Sequence, residues 1–216
     1  MLNNDGEHFS CRVVLPSGRL NVKEAQKVTE IMGTYGQGYF MFTERKNIEI
    51  PGVEYVNLEK VKESLAEVGL TIGSTGSRPR PVTACNGTVC KFRLFDTDAF
   101  TAQLNERFYK GFYNVALPSK VRIVVGGCFN KCSMPNIGCI GVYGKKLNQV
   151  AITLGGMAAR EQYLGQEIKG IYTLDEAADL IEKILLYYKE NGQKGERIAQ
   201  MVARIGFETV EKSLIG

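Results

Sequence analysis

The chain has 216 residues, 44% of them hydrophobic and 23% charged. These proportions suit one well-filled domain or two small ones sharing a core, and they exclude disordered, collagenous and coiled-coil classes. The net charge of +4, from 27 Lys and Arg against 23 Asp and Glu, is too mild to argue nucleic-acid binding by itself. The longest unbroken apolar run, Ile184–Tyr188, is far short of a membrane span. The opening MLNNDGEHFS has no apolar core of a secretory signal. A soluble cytoplasmic protein without membrane attachment is expected.

Along the chain, Asn21 is placed to cap a helix whose apolar positions Val22, Ala25, Val28, Met32 and Tyr35 recur at helical spacing. His8, before it, falls in a polar terminus expected to fray. Gly36 and Gly38 end the helix, and Tyr39–Phe42 reads as a buried strand. A second helix starts near Asn57 with Leu58, Val61, Leu65 and Val68 on one face and stops at Gly69. This pattern suggests a small α+β unit. The Gly/Ser/Pro-rich stretch IGSTGSRPRP, Ile72–Pro81, reads as an ordered loop or junction, and the expected domains are 1–70 and 71–216.

Beyond it a helix is expected from Asp96, with Phe100, Leu104 and Phe108 on one side. Val121–Val125, Ile140–Tyr143 and Val150–Leu154 read as strands, the first followed by Gly126 and Gly127 for a tight turn. Thr173-x-x-Glu176 is a capping box opening a helix through Tyr188, and a last helix spans about 196–214.

Charge distribution says more than the sum. From Arg107 to Arg160 there is no Asp or Glu, where roughly six would be expected at the chain's average. That stretch holds Arg107, Lys110, Lys120, Arg122, Lys131, Lys145, Lys146 and Arg160. A second acid-free stretch, Val68–Phe95, carries Arg78, Arg80, Lys91 and Arg93. Either these are solvated basic faces or an anionic group sits where they meet. Two close cysteine pairs fall inside these stretches: Cys85-NGTV-Cys90, then 37 residues, then Cys128-FNK-Cys132. Four thiolates from two loops can hold a tetrahedral zinc or a cubane iron–sulfur cluster, and the loose spacings favour the larger object. Gly87, Gly126 and Gly127 allow backbone amides to approach the sulfurs, and Lys91 and Lys131 sit beside them. Four inert core thiols are the bland alternative. Cys11 and Cys139, without partners at such spacing, are assigned to the core.

The order C-x4-C … C-x3-C, with GGCFNKC at the second pair, resembles the sirohaem and 4Fe–4S domain of sulfite and nitrite reductases. Upstream, GRLNVKEAQKVTEIMGTYGQGYFMFTERKNIEIPGV is similar to the ferredoxin-like half-domain of that family. SRPRPVTAC, LPSKVRIVVGGC and LGGMAAR add to the likeness, which covers residues 12–205. Larger members have five residues inside the first pair, a Pro after the third cysteine and two copies of the unit. This chain has four, Phe129 and one copy.

The resemblance implies an α+β fold, a ferredoxin-like half-domain followed by a sirohaem/4Fe–4S α/β domain of the sulfite/nitrite reductase type. It implies that Cys85, Cys90, Cys128 and Cys132 ligate a 4Fe–4S cluster, Cys132 also bridging to sirohaem. Arg45, Arg80, Lys120 and Arg122 match the cations that hold the anionic substrate, with Arg122 in place of a usual Lys. Asn130, Gly155 and Gly156 match positions lining the macrocycle, and Arg78 and Arg160 are candidate partners for its carboxylates. The implied activity is reduction of sulfite to sulfide or nitrite to ammonia, with electrons from an external donor, ferredoxin or a flavoprotein. In two-copy members the substrate cations and cluster ligands for one haem come from different copies, so a single-copy chain is expected to join them across a homodimer. An iron–sulfur carrier without sirohaem, or a four-cysteine zinc module on nucleic acid, are the competing readings.

Overall fold

The computed structural model describes residues 1–73 and 75–216, and its contacts divide the chain into Met1–Ser74 and Thr75–Gly216. Ser74, within the connector read from sequence, lies outside the described residues.

In the first unit, strand β1 (His8–Val14) pairs antiparallel with β3 (Ile48–Glu54), after α1 (Val22–Thr34) and β2 (Met41–Phe42). Helix α2 (Leu58–Ala66) and β4 (Thr71–Ile72) complete an antiparallel sheet of order β2-β3-β1-β4. Period-two alternation sets the register: Cys11 and Val13 oppose Ile50 and Ile48 on the buried face, while Arg12 meets Glu49 at 2.9 Å on the other. Val28 and Ile31 of α1 and Val61 and Leu65 of α2 close the core. Asn21 and Glu24 form the reciprocal cap of α1.

Two sequence expectations fail here. Of Tyr39–Phe42, only Met41 and Phe42 pair as strand, and both are exposed, Phe42 at 73%. They occupy the sheet edge, where an apolar run can pair without being covered. His8 is not frayed, because it lies opposite Glu54 in β1 and bonds the Asp5 carboxylate.

The second unit opens with β5 (Thr83–Ala84), then α3 (Thr97–Leu104), which Asp96 caps and which continues as a π-helical turn over Asn105–Lys110. The wider turn is seen in the Gly111 N–H bond to Glu106 O, and it keeps Phe108 buried beside Phe100 and Leu104. Strands β6 (Ile123–Gly126), β7 (Ile140–Lys146) and β8 (Gln149–Leu154) follow. Short pieces β9 (Met157–Ala158) and β10 (Gln162–Tyr163) pair with each other, and β11 (Gln166–Glu167) and β12 (Tyr172–Thr173) pair with β8. In the sheet order β11-β8-β7-β6-β5, β5, β6 and β7 are parallel and β8 is antiparallel to β7. The central strands are buried on both faces, as parallel sheets require.

Helix α4 (Leu174–Asn191), with the expected Thr173/Glu176 capping box, buries Ala177, Ile181, Ile184, Leu185 and Tyr188 in the core shared with β6, β7 and β8. Each of these larger apolar side chains contributes roughly 1.5–3 kcal/mol. The single terminal helix expected over 196–214 is two: α5 (Ile198–Ile205) and α6 (Phe207–Ile215). Gly206, at φ +94, breaks the run, because spacing alone does not register one residue that leaves the helical region.

Glu196 ties the end of α4 to α5. Its carboxylate accepts from Arg204 Nε and Nη2 at 2.7 and 2.8 Å and from the Gln193 N–H at 2.8 Å. Arg204 chiefly holds the Glu196 carboxyl below its ordinary value of 4.5. A lowered folded value means stability that is full above the ordinary value and lost as pH falls through the folded one. Glu196→Gln is expected to cost about 1 kcal/mol at neutral pH and to flatten the acid limb below pH 4.5 in urea unfolding series.

Candidate metal centre

Parallel pairing of β5 and β6 sets Thr83 beside Val124 and Ala84 beside Val125, so the chain leaves both strands at the same end of the sheet. Cys85 follows β5 directly, its N–H bonding Val125 O at 3.0 Å, and Cys128 follows β6 after Gly127. The carboxyl ends of parallel strands are where open α/β sheets place ligands.

The two loops touch. Gly127 N–H donates to Cys85 Sγ at 3.1 Å. A Cβ on Gly127 would lie 3.0 Å from Thr97 Cγ2, 3.4 Å from Cys85 Sγ and 3.5 Å from the Gly87 Cα. On Gly87 it would fall 2.5 Å from Thr97 Cγ2. Neither Gly126 nor Gly127 has positive φ. Gly127 serves the close approach expected of it: its N–H reaches Cys85 Sγ and no Cβ stands between the two cysteine loops.

In the first loop, Cys90 N–H bonds Gly87 O at 2.9 Å, and Arg93 Nη1 donates to Thr88 O at 2.9 Å. Thr88 Oγ1 donates to Asp98 Oδ2 at 2.5 Å, fastening the loop to the start of α3. The second loop is fastened by Ser133 Oγ on Val125 O at 2.8 Å. Lys131 and Met134 are left-handed there, at φ 53 and 56, a conformation costing a side-chain-bearing residue roughly 1–2 kcal/mol. Cys128 is 8% exposed, Cys85 half-buried, and Cys90 and Cys132 exposed; all are free thiols. Among the described residues, no three His, Cys, Asp or Glu side chains converge on a point that could hold one metal ion. The donor set nonetheless fits a thiolate-bound cluster: four sulfurs without a carboxylate among them, one already accepting a backbone N–H, in loops stripped of Cβ atoms at their contact.

Behind the second loop, Lys131 Nζ stands 4.0 Å from the Tyr143 ring centroid, and Lys145 Nζ stands 5.2 Å from it. The Tyr143 hydroxyl donates to Glu167, which meets Lys145 at 3.0 Å. Burial, then the Glu167 contact, raises the Tyr143 phenol. Burial opposes ionisation of Glu167, but the bonds from Tyr143 and Lys145 bring its carboxyl below the ordinary value. Sequence reading missed Tyr143, Glu167 and Thr97; the adjacency of Lys131 to Cys132 was visible, its aromatic partner was not.

The expected substrate cations lie elsewhere. Pro79 bridges Val121 in parallel, Arg80 N–H bonds Val121 O at 2.9 Å, and Ile140 N–H bonds Arg122 O at 3.1 Å. Arg80, Lys120 and Arg122 are thereby neighbours ahead of β5 and β6, at the strand ends opposite the cysteines. Arg80 lies five positions before Cys85 and Arg122 six positions before Cys128, about 16–20 Å along extended chain. Arg80 is 7% exposed; Arg122 is half-buried, with its buried Nε unbonded among the described residues. Lys120 is exposed. Arg45 belongs to the first unit, half-buried in the turn between β2 and β3.

Asn130 and Arg160 are exposed, and the Arg78 guanidinium stacks 4.2 Å from the Tyr113 centroid. Gly155 needs its glycine for φ +88, and a Cβ on Gly156 would meet Asn136 O at 2.3 Å. Each glycine therefore has a structural reason of its own, conformation at Gly155 and packing at Gly156. The stretch without acids is not acid-free in space: Arg107 pairs with Asp179 and Glu182 of α4, Lys110 with Glu106, and Lys145 with Glu167. Cys11 and Cys139 are buried as expected; burial raises the Cys11 thiol, and Cys139 Sγ accepts from Arg197 Nη2 at 3.0 Å.

Comparison with known proteins matches residues 75–215 to the nitrite and sulphite reductase 4Fe-4S domain and residues 1–68 to the nitrite/sulfite reductase ferredoxin-like half domain. An uncharacterised protein of Methanocaldococcus jannaschii is 31% identical over 134 residues, 62% of this chain and 47% of that protein. A ferredoxin–nitrite reductase of Synechococcus elongatus is 27% identical over 80% of this chain and 34% of its own length. The chain thus spans less than half the length of these two relatives. An assimilatory-type sulfite reductase of Nitratidesulfovibrio vulgaris is 25% identical over 93% of this chain and 89% of its own. The fold is shared with a dissimilatory sulfite reductase I, at a TM-score of 0.86 and 15% identity over 96% of this chain and 69% of that one. It is also shared with the NirA protein of Mycobacterium tuberculosis, at a TM-score of 0.84 and 17% identity over 98% of this chain and 42% of that one.

Gly87→Ala drives a methyl into Thr97, and overpacking of that kind costs roughly 1–3 kcal/mol. The expected outcome is a lowered midpoint in thermal unfolding. Pairing it with Thr97→Ala, which removes both the Cγ2 at 2.5 Å and the Oγ1 at 2.6 Å, should recover part of the loss.

Proposed function

Because the chain belongs to the nitrite and sulphite reductase family, we propose that it is itself a reductase of sulfite or nitrite. It would use a 4Fe–4S cluster and sirohaem, the cofactors of that family, with electrons from a separate protein donor. The observation that carries this reading is the meeting of two cysteine loops at the carboxyl ends of β5 and β6, with the Gly127 N–H on Cys85 Sγ. Cys85, Cys90, Cys128 and Cys132 would hold the cluster, and Cys132 would also serve the sirohaem. When bound, the two groups would supply one-electron steps to the anion.

The chain's own cations supply the rest. Arg80, Lys120 and Arg122 attract and orient the anion, and the Arg122 Nε supplies a hydrogen bond that the protein leaves unused among the described residues. Lys120, an exposed ammonium, is the group able to give a proton to a departing oxygen, since a guanidinium does not readily deprotonate. Arg45, in the first unit, is assigned a substrate-binding role by its motif alone. Arg78 and Arg160 would meet macrocycle carboxylates, with Asn130, Gly155 and Gly156 against the ring. The cations and the thiols stand at opposite ends of the same strands, which supports assembly of one site from two copies: strand starts from one protomer, cysteine loops from its partner.

Anaerobically prepared protein is expected to contain four irons per cluster together with haem absorption bands, and to oxidise reduced viologen when sulfite or nitrite is added. Cluster absorption without haem bands would point to an electron carrier, and a colourless protein would overturn the reading. Cys132→Ser is expected to abolish turnover, and Arg122→Ala to lower kcat/KM by about 10²-fold. Light scattering should find a dimer; a fully active monomer would overturn the two-copy site.

A further inference from the structure

Lys131 lies inside the second cysteine pair, between Cys128 and Cys132, yet its side chain is not spread into solvent. Its ammonium stands 4.0 Å from the centroid of the Tyr143 ring, within the range where the negative face of an aromatic holds a cation. Tyr143 is itself immobile: it is 2% exposed, pairs with Gly126 in parallel register on β7, and is anchored through its hydroxyl to Glu167. The charges facing the ring are Lys131, Lys145 and Glu167. Lys145 pairs with Glu167 at 3.0 Å and Lys131 also acts on that carboxylate, so two cations face one anion and one positive charge is left in excess. The Lys131 backbone is wound to match. At φ 53, its N–H bonds Cys128 O at 3.3 Å and its carbonyl accepts the Met134 N–H at 2.8 Å.

We propose that Tyr143 is a positioning residue that pins the Lys131 ammonium behind the second cysteine loop, so that its fixed positive charge raises the reduction potential of the iron–sulfur cluster. The inference rests on the cluster reading given under Proposed function. Reduction adds an electron to a group already negative from its thiolates, and a cation held close favours the reduced form. A lysine swinging freely in water would be screened within a Debye length of about 8 Å. Packing on a buried ring removes that freedom.

The test is a redox titration of the cluster, read by electron paramagnetic resonance, on iron-loaded protein carrying Lys131→Met, Lys131→Arg, Tyr143→Phe or Tyr143→Leu, with iron per chain measured in each. Lys131→Met is expected to lower the midpoint potential at unchanged iron content. Lys131→Arg and Tyr143→Phe, which keep the charge and the ring, should stay at the wild-type value. Tyr143→Leu should shift it in the same direction as Lys131→Met, and the double variant no further than Lys131→Met alone. A wild-type potential in Lys131→Met overturns the proposal, as does a Tyr143→Phe shift equal to that of Lys131→Met. These two variants decide the matter even where Tyr143→Leu fails to fold. Absence of iron from the wild-type protein overturns the cluster reading and this proposal with it, whereas iron present with an unmoved potential overturns this proposal alone.

Discussion

Two residue pairs of parallel β ladder, Thr83 with Val124 and Ala84 with Val125, carry the organisation of the second unit. The pairing brings chain segments about forty positions apart to one sheet end in a fixed register, and a slip of one residue would turn the side chains on that strand to the other face. From it follow the Gly127 contact with Cys85, the absence of room for a Cβ at Gly87, and the common orientation of both loops. The ladder is short, but it is reinforced from outside by the Asn105 Oδ1 bond to Val82 N–H and by the bridge from Pro79 to Val121. The π turn after α3 places Asn105 where its side chain can make that bond.

Parallel strands have two chemically different ends, and this chain uses both. The starts of β5 and β6 gather Arg80, Lys120 and Arg122, and their finishes gather thiols. Lys91 and Arg93 also carry positive charge at the sulfur end, so Lys131 is distinguished by how it is held. It is an ammonium seated on an aromatic face rather than a fork of donors pointing at solvent.

Much of this was legible in the residues. The two capping boxes, at Asn21 and Thr173, and the stripe Phe100, Leu104, Phe108 identify their helices, because side-chain chemistry at fixed offsets decides them locally. Cysteine spacing located the thiol loops for the same reason. What escaped was set by distant partners. Phe42 looked buried, but burial depends on whether another element covers the edge. The cations from Arg107 to Arg160 looked unopposed, yet Asp179 and Glu182 reach Arg107 from a helix some seventy positions later. Tyr143 read as one more strand residue until the fold set it under Lys131.

Winding Lys131 and Met134 into left-handed backbone is work done by the rest of the fold, through the Ser133 tether and the Tyr143 platform. A loop shaped in advance surrenders little further chain freedom to whatever it binds, so the cost of ordering it falls on folding rather than on binding.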